Sequence, residues 1–290
     1  MGSDRLQGRI ADQFSYRGER SDIWRLFDLL LETDAFLNLG YSEWYQSHVA
    51  GSPQRRLATE VGRRLAAHLP ATDGTRLLDV GCGRGGPAIH LADRFGFRVA
   101  GVDLVAYNVA RARENAFERA AGAEFVVGDA TRLPFAADSL PACTAIDALV
   151  YLPDRPAVFA GIADVLEPGG VVAISDLVRQ PGADTQERER VARFADSWDM
   201  PLPGTARDYE RALAGAGLDL VSVDDITPHS VGRFGTWTTL FGWLYASPAG
   251  RLVDWLLESR GLDPAALVDQ IRRAHEALPA LRHVIFVAKA

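Results

Sequence analysis

Residues 77–86 read LLDVGCGRGG, and this stretch decides the fold. The apolar run before Gly81 predicts a short buried strand, and the glycines after it let the chain turn tightly into a helix. Gly81, Gly83 and Gly86 have the spacing G-x-G-x-x-G, which lets the backbone approach a dinucleotide closely. A strand-to-helix turn that binds nothing gives the same pattern, so the glycines alone leave the function open.

Strand and helix patterns alternate from residue 75 onward. Continuous apolar runs between helical segments are typical of parallel strands that helices cover on both faces, so we predict an α/β fold. The predicted strands are 75–81, 97–103, 124–129, 141–150, 171–178, 218–226 and 282–288. The predicted helices between them are 87–95, 109–122, 156–170, 186–198 and 208–217.

Helical patterns also occupy both flanks of this alternating region. Residues 22–39 and 52–69 repeat apolar residues every three or four positions, which predicts helices near the N-terminus. Residues 227–277 are rich in tryptophan, phenylalanine and tyrosine and predict a helical insertion before the last strand. Both flanking regions could cover the carboxyl edge of the sheet.

The composition excludes several classes of protein. Of 290 residues, 48% are hydrophobic and 24% charged, which is ordinary for a globular chain with a large core. The net charge of −7 disfavours a nucleic-acid partner, and no apolar run reaches the roughly 18 residues of a membrane-spanning helix. The polar N-terminus makes a cytoplasmic location the default expectation. Two isolated cysteines, Cys82 and Cys143, predict neither a disulfide framework nor a metal site.

Acidic residues follow three of the predicted strands. Asp103 ends the second strand, where a carboxylate can accept hydrogen bonds from both ribose hydroxyls, and Asp129 follows the third. Asp79 lies two residues before the first glycine, where it would repel a pyrophosphate but attract an ammonium or sulfonium group. The pattern therefore favours S-adenosylmethionine over a nicotinamide dinucleotide.

Five motifs in order carry a family resemblance. They are LLDVGCGRGGPAIHLA (77–92), GVDL (101–104), GDATRLPF (128–135), AIDALVYLPD (145–154) and VLEPGGVVAISD (165–176). Together they resemble the class I S-adenosylmethionine-dependent methyltransferases, over about residues 57–225. Within that family the chain is similar to bacterial small-molecule methyltransferases of natural-product pathways, such as those acting on sugar hydroxyls and macrolactones. The segment LNLGYSEW (37–44) fits that layout.

The resemblance implies a Rossmann-like sheet of seven strands, mostly parallel with the last strand antiparallel, and helices on both faces. It also implies four regions along the chain. These are an N-terminal helical cap (1–70), a cofactor-binding core (71–226), a helical substrate lid (227–278) and a terminal strand that returns to the core (279–290).

The resemblance further assigns residues to S-adenosylmethionine. Asp79, Gly81 and Gly83 would line its methionine part, with Asp147 beneath that end. Asp103 would hold the ribose hydroxyls and Leu104 would pack on adenine, while Asp129 and Ala130 would hold the adenine edge. Tyr16 and Tyr41 of the N-terminal region would cover the cofactor.

Two residues are predicted to act on the substrate. Related sugar methyltransferases carry a histidine after the fourth strand, but Tyr151 stands there in this chain, and a tyrosine with a pKa near 10 is a poor base. It would orient a substrate hydroxyl or contact the methyl donor. Asp176, at the end of the fifth strand, matches the acidic position of the family. We interpret His229, His275 and His283 as packing or surface residues, and predict no metal site.

The predicted function is methyl transfer to an oxygen, and less readily to a carbon or nitrogen, of a small metabolite. The aromatic insertion predicts that this substrate is apolar or mixed. Three alternatives stay open. The chain could keep the cofactor and catalyse another reaction such as a cyclisation. It could be a nicotinamide-dependent oxidoreductase, or a binding module without activity.

Overall fold

The computed structural model describes residues 8, 12, 14, 35–48 and 52–290. Tyr16 and residues 22–34 of the first predicted helix lie outside the described residues. The end of that predicted helix, residues 35–39, is not helical but runs irregularly across the glycine turn. Its backbone is fixed by bonds to other elements, among them one from the Gly86 N–H to the Ala35 carbonyl, at 2.9 Å. These tertiary bonds outweigh the local helical pattern.

A seven-stranded sheet forms the centre of the fold, in the order β3-β2-β1-β4-β5-β7-β6. Strand β7 runs antiparallel to both of its neighbours, and the pairs among β1 to β5 are parallel, which confirms the predicted sheet. The strands are β1 (Arg76–Val80), β2 (Arg98–Asp103), β3 (Ala123–Val127), β4 (Leu140–Ile146), β5 (Leu166–Arg179), β6 (Asp219–Asp225) and β7 (Leu281–Lys289).

Nine α-helices lie within residues 52–290. They are α1 (Pro53–Ala66), α2 (Gly86–Phe95), α3 (Ala106–Arg119), α4 (Arg155–Val165), α5 (Thr185–Ser197), α6 (Ala206–Gly215), α7 (Val231–Ala246), α8 (Gly250–Glu258) and α9 (Pro264–Ala277). None of them has the length and apolar character that crossing a bilayer requires.

Two apolar layers enclose the sheet. One face packs on α1, α2 and α3 through residues such as Leu57, Leu91 and Val109. The other packs on α4 and α6, where Phe159 meets Tyr209 edge-on and Tyr209 stacks on Phe286 of β7. Burial of both faces explains why most strands read as continuous apolar runs.

A third apolar cluster joins α5, α8 and α9 to residues near the glycine turn. Its buried members include Trp198 and Ile271, and Tyr151 packs against it. On α7, the rings of Phe234, Trp237, Phe241 and Tyr245 stack in succession. The helical insertion between β6 and β7 therefore packs beside the carboxyl edge of the sheet.

Candidate active site

A cavity of about 430 Å³ opens at the carboxyl edge of the sheet, beside the glycine turn. This volume falls in the usual range for a small-molecule site. Ligands of open α/β sheets bind at this edge, where the loops after the strands converge. The structure brings eight of the predicted site residues to its lining: Gly81, Gly83, Asp103, Leu104, Asp129, Ala130, Asp147 and Tyr151.

The glycine turn is held by its own backbone bonds. The N–H groups of Gly81 and Cys82 both donate to the Val102 carbonyl, at 2.8 and 3.1 Å. Gly81 has a positive φ of 71°, and a Cβ there would lie 2.4 Å from the Cβ of Ala148. Cys82 is buried in the turn, and burial raises the pKa of its thiol well above the usual value, which keeps it unreactive.

Asp103 joins the end of β2 to the glycine turn. Its Oδ2 accepts a bond from the Gly83 N–H at 2.9 Å, and its Oδ1 accepts one from the Val105 N–H at 2.8 Å. Burial raises the pKa of this carboxyl, and these two backbone donors partly oppose the rise. A contact from Asn108 Nδ2 is long, at 3.4 Å, so acceptor capacity remains on both oxygens.

Asp129 and Leu104 lie on the loops after β3 and β2. Asp129 Oδ1 accepts bonds from the Thr131 N–H and hydroxyl, at 2.9 and 2.8 Å, which fixes the loop that also carries Ala130. The Leu104 side chain is partly exposed beside the same cavity. Both residues line the cavity, and their contact with adenine stays a prediction.

Asp147 has a positive φ of 54°, a strained conformation for a residue other than glycine. Its carboxylate accepts three bonds of 2.7 to 2.8 Å, from the Ser175 hydroxyl, the Leu39 N–H and Nε2 of His283. Burial alone would raise the pKa of Asp147, but His283 and the two other donors outweigh it, so the pKa is lowered. The carboxylate therefore stays ionised and connects three distant parts of the chain.

His283 is a site residue that sequence reasoning missed. It is fully buried on β7, and its Nδ1 lies 2.8 Å from the hydroxyl of Ser230, just before α7. The pair with Asp147 spans 136 positions of sequence, and no local motif marks it. Only the antiparallel entry of β7 beside β5 brings the two side chains together.

Asp79 lies beneath the cavity and is not part of its lining. The Thr144 hydroxyl donates to its Oδ1 at 2.9 Å, while its Oδ2 has no partner among the described residues. Burial raises its pKa to about 7, despite the bond from Thr144. A cation bound nearby would favour the ionised form of this carboxyl.

Asp176 also lies outside the cavity lining. Its side chain is fully buried on the face of the sheet that packs on α4 and α6. There the Tyr209 hydroxyl donates to its Oδ2 at 2.7 Å. Burial raises its pKa to about 7. The sequence predicts Asp176 at the end of the fifth strand, but β5 continues to Arg179 and the side chain is buried against Tyr209. This geometry gives its predicted catalytic role no support.

Replacing Asp176 with asparagine should stabilise the protein at pH 8. The folded-state pKa lies above 3.8, so the native protein holds an extra proton that is lost as pH rises toward 7, and stability falls over that window. Ionising this buried group costs on the order of 4 kcal/mol. Asparagine can still accept the Tyr209 bond.

Thermal melts at pH 5.5 and 8 test this prediction. They should show a higher melting temperature for the variant at pH 8, whereas D219N, on an exposed strand end, should follow wild type. A lower melting temperature for D176N at pH 8 would refute this assignment.

Tyr41, one of the two predicted covering tyrosines, does not line the cavity. Tyr41 instead stacks on His229 with ring centroids 4.6 Å apart, and its hydroxyl donates to Glu43 Oε1 at 3.0 Å. Tyr41 therefore attaches the 35–48 segment to the start of the insertion. Tyr16 lies outside the described residues.

Tyr151 faces the cavity from the turn after β4, and its ring meets the edge of Phe14 at 5.3 Å. Burial raises its pKa further, and the charges of Asp147, Asp176 and Asp199 add to the rise. Tyr151 therefore stays protonated at neutral pH and can donate a hydrogen bond, but it cannot serve as a base.

The lining fits S-adenosylmethionine, the cofactor that the resemblance implies. Asp103 offers acceptor oxygens where a ribose would lie, and Asp147 supplies negative charge at the other end. Within the described part of the chain, the side-chain amide of Asn38 and Oδ1 of Asn108 are buried without a hydrogen-bond partner, and both residues line the cavity. Such atoms are costly to leave unpaired and are expected to meet a polar ligand. No group of three His, Cys, Asp or Glu residues suited to a metal ion occurs among the described residues.

Comparison with known proteins identifies the family. A profile described as "Methyltransferase domain" matches residues 77–170. The methyltransferase GfsG of Streptomyces halstedii is 30% identical over 78% of this chain and 81% of its own length. The chain therefore belongs to the S-adenosylmethionine-dependent methyltransferases. It is an enzyme of that family, and S-adenosylmethionine is its cofactor.

Two further proteins are similar to this chain. The 27-O-demethylrifamycin SV methyltransferase of Amycolatopsis mediterranei is 33% identical over 59% of this chain and 64% of its own length. A crystal structure of a putative sarcosine dimethylglycine methyltransferase from Galdieria sulphuraria has a TM-score of 0.74 at 18% identity. The match covers 92% of this chain and 98% of that one, and it confirms the fold.

Proposed function

We propose that this methyltransferase acts on a hydroxyl oxygen of a small metabolite that is apolar or mixed in character. The observation that carries the proposal is the composition of the cavity. Its lining carries the carboxyl groups of Asp103, Asp129 and Asp147. The rest of the lining includes the apolar and aromatic side chains of Phe14, Leu37, Tyr151 and Leu152. The relative named for 27-O-demethylrifamycin SV supports oxygen as the acceptor atom, and transfer to carbon or nitrogen is the less favoured outcome.

The predicted cofactor residues fall into three groups along the cavity. Asp103 would accept hydrogen bonds from the ribose hydroxyls, and the 81–83 turn would lie against the methionine part. Leu104, Asp129 and Ala130 would surround adenine. Asp79, which is buried and does not line the cavity, would stabilise the positively charged cofactor through the charge of its carboxylate. The sulfonium of the bound cofactor supplies an electrophilic methyl group, so the chain must position the acceptor and exclude water.

The acceptor would enter beside the helical insertion. Leu37 and Tyr151 line the cavity and also pack against the apolar cluster that includes Trp198 and Ile271. The aromatic face of α7 borders the same cluster. We propose that residues 227–278 act as a substrate lid and the N-terminal residues as a cap, which is the division that the sequence predicts.

Tyr151 would orient the acceptor by donating a hydrogen bond from its hydroxyl to the substrate. Its raised pKa excludes a role as the base. Asp147 is also a poor proton acceptor, because His283 lowers its pKa. An acceptor whose own hydroxyl ionises readily, such as a phenol or enol, would need least help from the chain.

The variant Y151F tests this role. We expect methyl transfer to slow by about tenfold, the effect of losing one orienting hydrogen bond, with unchanged binding of S-adenosylhomocysteine. Removal of a general base would instead cost about 100-fold or more. Single-turnover rates and titration calorimetry measure the two effects. A loss of 100-fold or more, or no loss at all, would contradict the orienting role.

The function itself is tested with a donor that carries a deuterated methyl group. The enzyme is incubated with a panel of hydroxylated polyketides, macrolactones, phenols and amines, and products are read by mass spectrometry. A product with one labelled methyl on oxygen is expected. Conversion of a substrate without gain of the label would favour the cyclisation alternative, and label on carbon or nitrogen would change the acceptor class. Binding of a reduced nicotinamide dinucleotide in place of the donor would overturn the cofactor placement.

A further inference from the structure

The 35–48 segment lies across the glycine turn and is fixed on both sides of Asn38. On one side, the Ala35 carbonyl accepts the Gly86 N–H at 2.9 Å. On the other side, the Leu39 N–H donates to Asp147 Oδ2 at 2.8 Å. These bonds hold Asn38 against the cavity between the glycine turn and Asp147.

Asn38 has a side chain without protein partners. The residue is only 7% exposed and lines the cavity, yet both Nδ2 and Oδ1 lack a hydrogen-bond partner among the described residues. Buried polar atoms left unsatisfied cost about 1–3 kcal/mol each. An amide that offers one donor group and one acceptor at a cavity wall therefore indicates a polar ligand with both kinds of atom.

The donors of the glycine turn are already used. The N–H groups of Gly81 and Cys82 donate to Val102, and that of Gly83 donates to Asp103. The only basic side chain among the described lining residues is Arg132, on the loop after β3. Among the described lining residues, the Asn38 amide therefore offers an unused donor beside the turn for a ligand carboxylate.

We propose that Asn38 binds the amino-acid end of the cofactor. Its Nδ2 donates to the α-carboxylate, and its Oδ1 accepts a bond from the α-ammonium. The buried Asp147–His283 pair is the positioning unit that holds Asn38 in place, because Asp147 anchors the adjoining Leu39 N–H. This inference rests on the cofactor placement given under the proposed function.

The test compares two ligands that differ only at the proposed contact. S-adenosylhomocysteine has the amino-acid end, whereas 5′-methylthioadenosine keeps the nucleoside and sulfur without it. Titration calorimetry on N38L should show a loss of S-adenosylhomocysteine affinity of about 10- to 100-fold, as expected for hydrogen bonds to charged groups. Affinity for 5′-methylthioadenosine should change by less than about twofold.

Two further measurements separate binding from folding. The unliganded N38L protein should melt at or above the wild-type temperature, because the substitution removes unpaired buried polar atoms. The variant H283Q, which loosens the anchor of Leu39, should show the same selective loss of S-adenosylhomocysteine. The matched control H275Q alters an exposed histidine of the insertion and should bind both ligands as wild type does.

Each other outcome has a distinct meaning. Equal losses for both ligands in N38L would overturn the inference, since Asn38 would then only shape the cavity. Unchanged binding of both ligands would overturn it as well. If wild-type protein bound neither ligand at this cavity, the cofactor placement itself would fail, and that result is distinguishable from failure of the Asn38 contact.

Discussion

Replacing Asp103 with alanine should weaken binding of S-adenosylhomocysteine by about 100-fold or more. Two hydrogen bonds from ribose hydroxyls to a carboxylate contribute about 1.5 kcal/mol or more each. The same carboxylate accepts the Gly83 N–H, so its loss also loosens the glycine turn. Titration calorimetry at pH 7.5 gives the affinity directly.

The control for this experiment is D219A, which removes an exposed carboxylate at the start of β6, far along the sheet from the cavity. It should bind the ligand as wild type does and fold equally well. If D103A retained wild-type affinity, the ribose would not lie at the end of β2. The assignments of the adenine and methionine parts would then fail too, because both are made relative to the ribose.

Substituting alanine for Gly81 should destabilise the protein and remove cofactor binding together. The added Cβ would lie 2.4 Å from the Cβ of Ala148, and the positive φ is unfavourable for any residue with a side chain. We expect the free energy of unfolding to fall by about 3 kcal/mol, from backbone strain and the forced shift of Ala148. Thermal melts and ligand titration of the same sample measure both effects.

The matched control is Gly215, at the end of α6, where an added Cβ meets nothing within 4 Å. G215A should change the free energy of unfolding by no more than about 0.5 kcal/mol and leave binding intact. A G81A protein with wild-type stability would show that the turn adapts to a side chain, which would contradict its role as a rigid wall of the cavity.

The sequence predicts those parts of the site whose residues lie close together along the chain. The glycine turn and Asp103 follow their strands directly, and parallel strands bring such loops to one edge of the sheet. The order of strand and helix patterns likewise predicts the fold, because each buried strand is marked by its own apolar run.

The rest of the site depends on contacts between distant segments. Asn38 lies in an irregular segment, two residues before Gly40, and nothing in the neighbouring sequence indicates that its amide lies unpaired beside a cavity. The role of His283 depends on the position of β7 between β5 and β6. Asp79 and Asp176 show a further limit, since a residue near a strand end can face into a layer of the core instead of the cavity beyond the tip.

The interior position of β7 also has a consequence for biosynthesis. Strands β5 and β6 both pair with β7, although β7 follows all six of the other strands of the sheet in the sequence. While a ribosome is still producing residues 226–280, β5 therefore has one unpaired edge and β6 has no partner in the sheet. The His283–Asp147 bond forms only after translation has passed this strand. Nascent chains are thus expected to gain affinity for the methyl donor late and abruptly, when the last strand enters the sheet.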